Sequence, residues 1–141
     1  MVNRLAIILD TSFLIALNNA KDVNYKRADS LRIKIKNGGF GQSYISDYIF
    51  DEFATFMNVK FPSSKINEIG DALLSEESIK MMKVDLNIFL LSWELFKKLK
   101  KLSFTDCTTV ILCKEYGIKR IASFDSDFDR IPDLERVYKF F

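Results

Sequence analysis

The chain has 141 residues, 48% hydrophobic and 28% charged, so it is the size of one ordinary domain, has apolar material enough for a core, and is not a disordered tail. Its 21 lysines and arginines against 19 aspartates and glutamates leave a net charge of +2, too little to mark the whole surface as a polyanion binder, so any basic footprint has to be local. The absence of histidine excludes Ser-His and Cys-His nucleophile pairs, imidazole acid–base chemistry and histidine-ligated zinc.

The run Leu5-Ala6-Ile7-Ile8-Leu9 is continuous and apolar, the pattern of a short strand buried on both faces. Asp10 ends it and no small-residue cleavage site follows, so it does not read as a signal peptide. No apolar stretch approaches the ~20 residues that span a bilayer, and the expected location is soluble and cytoplasmic. A helix is expected from about Ser12 and another over 23–36, broken by Asn37-Gly38-Gly39. Residues 42–45 read as a second strand. Ser46 is placed as the N-cap of a helix running to about Lys60, and Pro62 opens a further one.

Residues 78–84 form a possible short strand, with a helix after it from about 87 to 100. Ser103 starts the next helix and Gly117 stops it. Residues 120–124 and 136–140 read as the last two strands. No repeat, low-complexity tract or linker interrupts the chain, which is read as a single domain over 1–141. Strands alternating with helices predict an α/β fold with a mostly parallel central sheet and helices on both faces. In such sheets ligands bind beyond the carboxyl ends of the strands.

Four acidic residues occupy places that need explaining. Asp10 follows the first strand, where that crevice would be, although Asp10-Thr11-Ser12 also offers helix-capping groups. On the Ser46 helix, Ile49, Phe50, Phe53, Phe56 and Met57 form the apolar face. Asp51 points away from it, whereas Glu52 lies on its border, either drawn inward or snorkelling to solvent. Asp106 shares its stripe with Val110 and Cys113, and Ser103-Phe104-Thr105-Asp106 also resembles a capping box. Asp125 follows another strand within Asp125-Ser126-Asp127-Phe128-Asp129, an acidic turn lacking the glycine and terminal glutamate of a calcium-binding loop.

Each of these is ambiguous alone. If they converge, like charges 4 Å apart at an effective dielectric near 20 repel by ~4 kcal/mol, so such a cluster protonates or recruits a divalent cation. An all-oxygen ligand set favours Mg²⁺ or Mn²⁺, which suit phosphodiester hydrolysis. Elsewhere the bland readings stand first. Cys107 and Cys113, in one predicted helix, are spaced for neither a disulfide nor a zinc knuckle and read as small core residues. The thirteen phenylalanines are expected mostly in the core, with a remainder free to line a dimer seam or a partner groove. The run Lys97-Lys98-Leu99-Lys100-Lys101 is either a solvated helix end or a phosphate-contacting patch in which Lys98 and Lys101 are the candidates.

The order of these motifs resembles the PIN-domain family and is similar to the VapC-type toxins of prokaryotic toxin–antitoxin pairs, over nearly the whole chain. Ile8-Leu9-Asp10-Thr11-Ser12, Ile45-Ser46 with Asp51-Glu52-Phe53, Ser103-Phe104-Thr105-Asp106, and Arg120 to Phe128 match its four motifs in turn. The family usually has threonine two residues before the closing aspartate, and Ser123 keeps the hydroxyl. The resemblance implies a PIN-like fold with Asp10, Glu52, Asp106 and Asp125 in a catalytic pocket binding Mg²⁺ or Mn²⁺. Asp127 is a candidate further ligand, and Ser12 and Ser123 would orient carboxylates from behind. It further implies hydrolysis of RNA, a homodimer and a small antitoxin partner. No arginine or lysine is assigned beside the acids.

Two rivals remain. One is a PIN-like module that binds RNA or protein, or processes RNA, without acting as a toxin. The other is an aspartate-phosphorylated signalling or phosphatase domain, against which Asp10-Thr11-Ser12 stands where an Asp-x-Asp would be needed.

Overall fold

The structure, a computed structural model, describes residues 5–140. Among these, five strands, Ala6–Leu9 (β1), Gln42–Ser46 (β2), Ile79–Met82 (β3), Arg120–Ala122 (β4) and Glu135–Val137 (β5), pair in parallel throughout, in the order β3-β2-β1-β4-β5. Six helices connect them: Thr11–Leu17 (α1), Tyr25–Lys36 (α2), Asp47–Lys60 (α3), Ser63–Ser75 (α4), Leu86–Lys98 (α5) and Phe104–Tyr116 (α6). A 3-10 turn covers Ser126–Arg130. The expected α/β architecture is therefore present.

β1 is the centre of the sheet, and Ile7, Ile8 and Leu9 are buried, as the unbroken apolar run requires. Successive strand residues point to opposite faces. Leu9, Ser43 and Ile79 share a cavity with residues of α1, α2 and α4. Ala6, Tyr44 and Met82 share another with the end of α6, so helices cover both faces. In α6 seven consecutive residues, Cys107 to Cys113, are buried, making it a helix enclosed on all sides. Both cysteines are free and buried, and burial pushes their thiols up to about 11 and about 12, as expected of inert core residues.

Several boundaries move for local reasons. α2 starts at Tyr25 rather than Val23, because the Asp22 carboxylate takes the Asn24 amide at 2.8 Å in a competing turn. Ser46 caps α3, accepting the Ile49 amide at 3.0 Å, as expected. Asp85 caps α5 in the same manner, a cap not anticipated from the sequence. β4 ends at Ala122 rather than Phe124 because the Phe124 amide goes to the Ser12 hydroxyl at 3.0 Å instead of a strand. β5 is only Glu135–Val137 and does not reach Phe140.

Among the phenylalanines, Phe13, Phe40, Phe53 and Phe128 are buried and Phe50, Phe61 and Phe124 pack against the core, whereas Phe140, Phe56, Phe89 and Phe96 are exposed. α5 presents Leu86, Leu90, Leu91 and Trp93 to solvent beside those last two rings. Among the described residues no helix is long and apolar enough to cross a membrane.

Gly41 sets the approach of β2 to β1. Its φ is +79°, and a methyl group there would overlap the Leu5 carbonyl, whereas Gly38, at φ +78°, faces open space. The two positions share the backbone penalty and differ only in room. Gly38→Ala should cost about 1–2 kcal/mol, the left-handed penalty alone. Gly41→Ala should cost clearly more or prevent folding, and urea melts giving equal losses would contradict this account of the strand junction.

Candidate active site

The strand order switches direction between β1 and β4, and the crevice beyond their carboxyl ends is where an open α/β sheet places its ligand. Asp10 leaves β1 at that point, its amide still donating to the Ala122 carbonyl at 3.0 Å. Ser123 and Asp125 leave β4 beside it. α3 brings Glu52 and the start of α6 brings Asp106. All four acids line one open cleft of about 360 Å³, together with Thr11, Ser12, Ile15, Phe56 and Ser103.

Asp10 is 2% exposed and sits at the N-cap of α1, but its side chain makes no capping bond, which removes the capping reading. Its Oδ2 accepts from the Ser12 hydroxyl at 2.9 Å and the Ser123 hydroxyl at 2.7 Å. Its Oδ1 is buried without a partner. Ser123 also accepts the Asp125 amide at 3.0 Å, so one buried hydroxyl ties the first acid to the last. Asp106 makes the expected capping box, its Oδ2 accepting the Ser103 amide at 3.1 Å and the Ser103 hydroxyl accepting its amide at 3.1 Å. Capping and cleft-lining are thus compatible for Asp106.

Burial raises the Asp10 carboxyl above its ordinary pKa, and the Glu52 charge adds to the effect against the opposing serine hydrogen bonds. Asp106 is pushed up to about 7, by desolvation first and then by Asp10, with Glu52 contributing. Three of the four acids therefore feel one another electrostatically.

The donor set suits a hard divalent cation: the acidic ligands are oxygens, and one oxygen of a buried carboxylate lacks any partner. Among the described residues no three acidic or thiol side chains already stand grouped as a ligand set. Asp10 Oδ2, Asp106 Oδ2 and Asp125 Oδ1, the last accepting the Asp127 amide at 2.9 Å, each face internal donors, which eases repulsion between like charges.

Other expected site residues fall differently. Ser12, on the cleft wall, and Ser123, fully buried, both donate to Asp10 Oδ2. Asp127, Lys98 and Lys101 do not line the cleft; both lysines are exposed, and Asp127 is half-buried in the closing turn. Phe56, assigned by its phase to the core, is 38% exposed and forms part of the wall. Thr11 and Arg136 were missed. The Arg136 side chain is 11% exposed and pairs with Asp129 through Nε at 2.9 Å and Nη2 at 3.1 Å. Its Nη1 donates to the Ser123 carbonyl at 3.3 Å. Nothing in a three-residue strand at the end of the chain announces such a contact.

Comparison with known proteins follows the same line. The family model described as PIN domain matches residues 7–134. A VapC ribonuclease of Archaeoglobus fulgidus is 25% identical over 138 residues, which cover 95% of this chain and 85% of that protein. The crystal structure of VapC20 from Mycobacterium tuberculosis, described as a toxin cleaving the sarcin–ricin loop, matches with a TM-score of 0.79 at 22% identity, over 92% of this chain and 98% of its own. VapBC2 of Rickettsia felis, bound to a DNA fragment from its promoter, matches with a TM-score of 0.70 at 16% identity, over 94% of this chain and 98% of that one. At these identities the two structures speak for the fold.

The raised carboxyls make stability depend on pH. In the folded protein Asp106 titrates at about 7 against an ordinary 3.8, so its contribution is complete below about 4 and lost as pH rises through 7. Asp106→Asn keeps an acceptor for the Ser103 amide but has no charge to repel its neighbours. In EDTA the variant should melt above the parent at pH 8, with the difference closing towards pH 4. A parent whose advantage grows with pH would contradict the clustering of charge.

Proposed function

The chain belongs to the PIN-domain family, and from that premise we propose that it is a metal-dependent endoribonuclease that hydrolyses RNA phosphodiester bonds. The observation that carries this reading is the convergence of Asp10, Glu52, Asp106 and Asp125 on one cleft, with a buried carboxylate oxygen left unpartnered. Asp10, Asp106 and Asp125 would hold Mg²⁺ or Mn²⁺ directly, and Glu52 would bind it or orient the attacking water. When bound, the ion supplies an activated water and neutralises charge on the phosphate. Ser12 and Ser123 hold the Asp10 carboxylate in one orientation through Oδ2, with Oδ1 left unpartnered. Ser103 does the same for Asp106.

The likeness to VapC proteins favours the toxin of a toxin–antitoxin pair, acting in the cytoplasm, with residues 1–141 as one PIN-type unit. Two surfaces suit the protein partners. The exposed apolar ridge of α5 suits a second copy of the chain, because Asp85 at its start and Lys98 at its end become complementary when two copies meet about a twofold axis. A cavity of about 310 Å³ between α1, α2 and α4, walled by Leu14, Leu17, Ile69 and Leu73, suits an apolar segment of a small antitoxin.

RNA cleavage should require Mg²⁺ or Mn²⁺ and stop in EDTA. Asp10→Asn and Asp125→Asn should lower it by orders of magnitude while remaining folded by circular dichroism. Undiminished cleavage in excess EDTA would overturn the mechanism, and RNA binding without cleavage by the parent would favour a binding module. Should Lys98 and Lys101 contact phosphates, their joint change to Ala flattens the salt dependence of RNA binding by roughly one charge for each lysine replaced. An unaltered slope would return them to the solvated helix end.

A further inference from the structure

Thr11 opens α1 on the wall of the acidic cleft, and its buried Oγ1 has no hydrogen-bond partner. Of the hydroxyls around it, Ser12 and Ser123 spend their protons on Asp10, and Ser103, which is exposed, accepts the Asp106 amide. Elsewhere in the chain, buried threonines satisfy themselves. Thr108 and Thr109 both donate to the Thr105 carbonyl, at 2.6 and 3.1 Å, the back-bond that a helix interior offers. Thr11 stands at the first position of its helix, where no preceding turn supplies such a carbonyl. The adjacent Asp10 Oδ1 is itself unpartnered and does not take the proton.

A buried hydroxyl left without a partner is unfavourable, and in a folded protein such an atom calls for an explanation. The charge of the cleft indicates which one. A cation entering it meets four carboxylates and has no shortage of oxygen ligands. A phosphate entering it meets acceptors and repulsion, and what it lacks is a donor. We propose that the Thr11 hydroxyl is a further catalytic group, donating a hydrogen bond to a non-bridging oxygen of the scissile RNA phosphate. This rests on the ribonuclease reading above. Thr11 keeps its proton and forms no bond to phosphorus. Water adds, the ester P–O bond breaks, and the hydroxyl stabilises the charge that gathers on the phosphoryl oxygens meanwhile.

Thr11→Val keeps the shape and the β-branch and removes the hydroxyl, whereas Thr11→Ser keeps the hydroxyl. Four quantities decide: melting in EDTA, Mn²⁺ affinity by electron paramagnetic resonance, RNA affinity in Ca²⁺, and kcat in Mg²⁺. Thr11→Val should melt at or above the parent, since it loses an unsatisfied group. Its Mn²⁺ affinity should stay within about twofold while kcat falls about 10- to 100-fold, the scale of losing one donor to a developing oxyanion. Thr11→Ser should recover most of that loss.

Parental kcat in Thr11→Val would overturn the proposal. So would a lower melting temperature, which would make the hydroxyl structural, or a loss of Mn²⁺ affinity matching the loss of kcat, which would place it on the ion. If the parent cuts no RNA with any divalent ion, the ribonuclease reading falls and RNA affinity in Ca²⁺ decides the contact. Weaker binding by Thr11→Val, with recovery in Thr11→Ser, would then keep the phosphate contact, and equal binding would remove it.

Discussion

A carboxylate buried where the strand order of a parallel sheet reverses is the constraint around which this molecule is arranged. Asp10 continues the β1–β4 pairing with its amide while its side chain enters the crevice those strands leave open. One oxygen is held by the hydroxyls of Ser12 and Ser123, themselves 3.2 Å apart, and the other is buried without a partner. Burial and neighbouring charge both oppose ionisation there, so the site carries an electrostatic cost that the rest of the fold must offset. The buried residues of β1 and the seven consecutive buried residues of α6 contribute to that offset.

The closing turn shows how the site is held from outside. Arg136 grips Asp129 through two nitrogens and the Ser123 carbonyl through a third, with its guanidinium 4.1 Å from the centre of the Tyr138 ring. Ser123 in turn holds Asp10 and the Asp125 amide. The guanidinium thus spans both ends of the segment that carries Asp125 and Asp127. Its placement behind the acids, engaged with Asp129, makes it a brace for the loop.

Much of this was legible in the sequence because the signals were local. Asp10 and Asp125 stood out by following apolar strands, Glu52 by its phase on an amphipathic helix, and Asp106 by its distance from Ser103. Ser46 and Gly117 marked helix ends through capping chemistry that needs only a few residues. The remainder depended on distant partners. The Phe124 amide was expected in a strand, but Ser12, 112 positions away, takes it. Arg136 reads as an ordinary strand residue until Ser123 is beside it. Aromatic residues were assigned to the core by composition, yet periodicity does not reveal which apolar face is left uncovered, and α5 carries such a face to solvent. Thr11 passed as part of a capping sequence because its lack of a partner is visible only in three dimensions.

Diffraction from crystals grown with Mn²⁺, collected at a wavelength where manganese scatters anomalously, tests the central claim most directly. A peak in contact with Asp10 Oδ1 and shared with Asp106, Asp125 or Glu52 is the predicted result, with the Ser12 and Ser123 hydrogen bonds to Oδ2 retained. A cleft without a peak at saturating Mn²⁺, or a peak held elsewhere on the surface, would contradict the account and leave the buried carboxylate without its explanation.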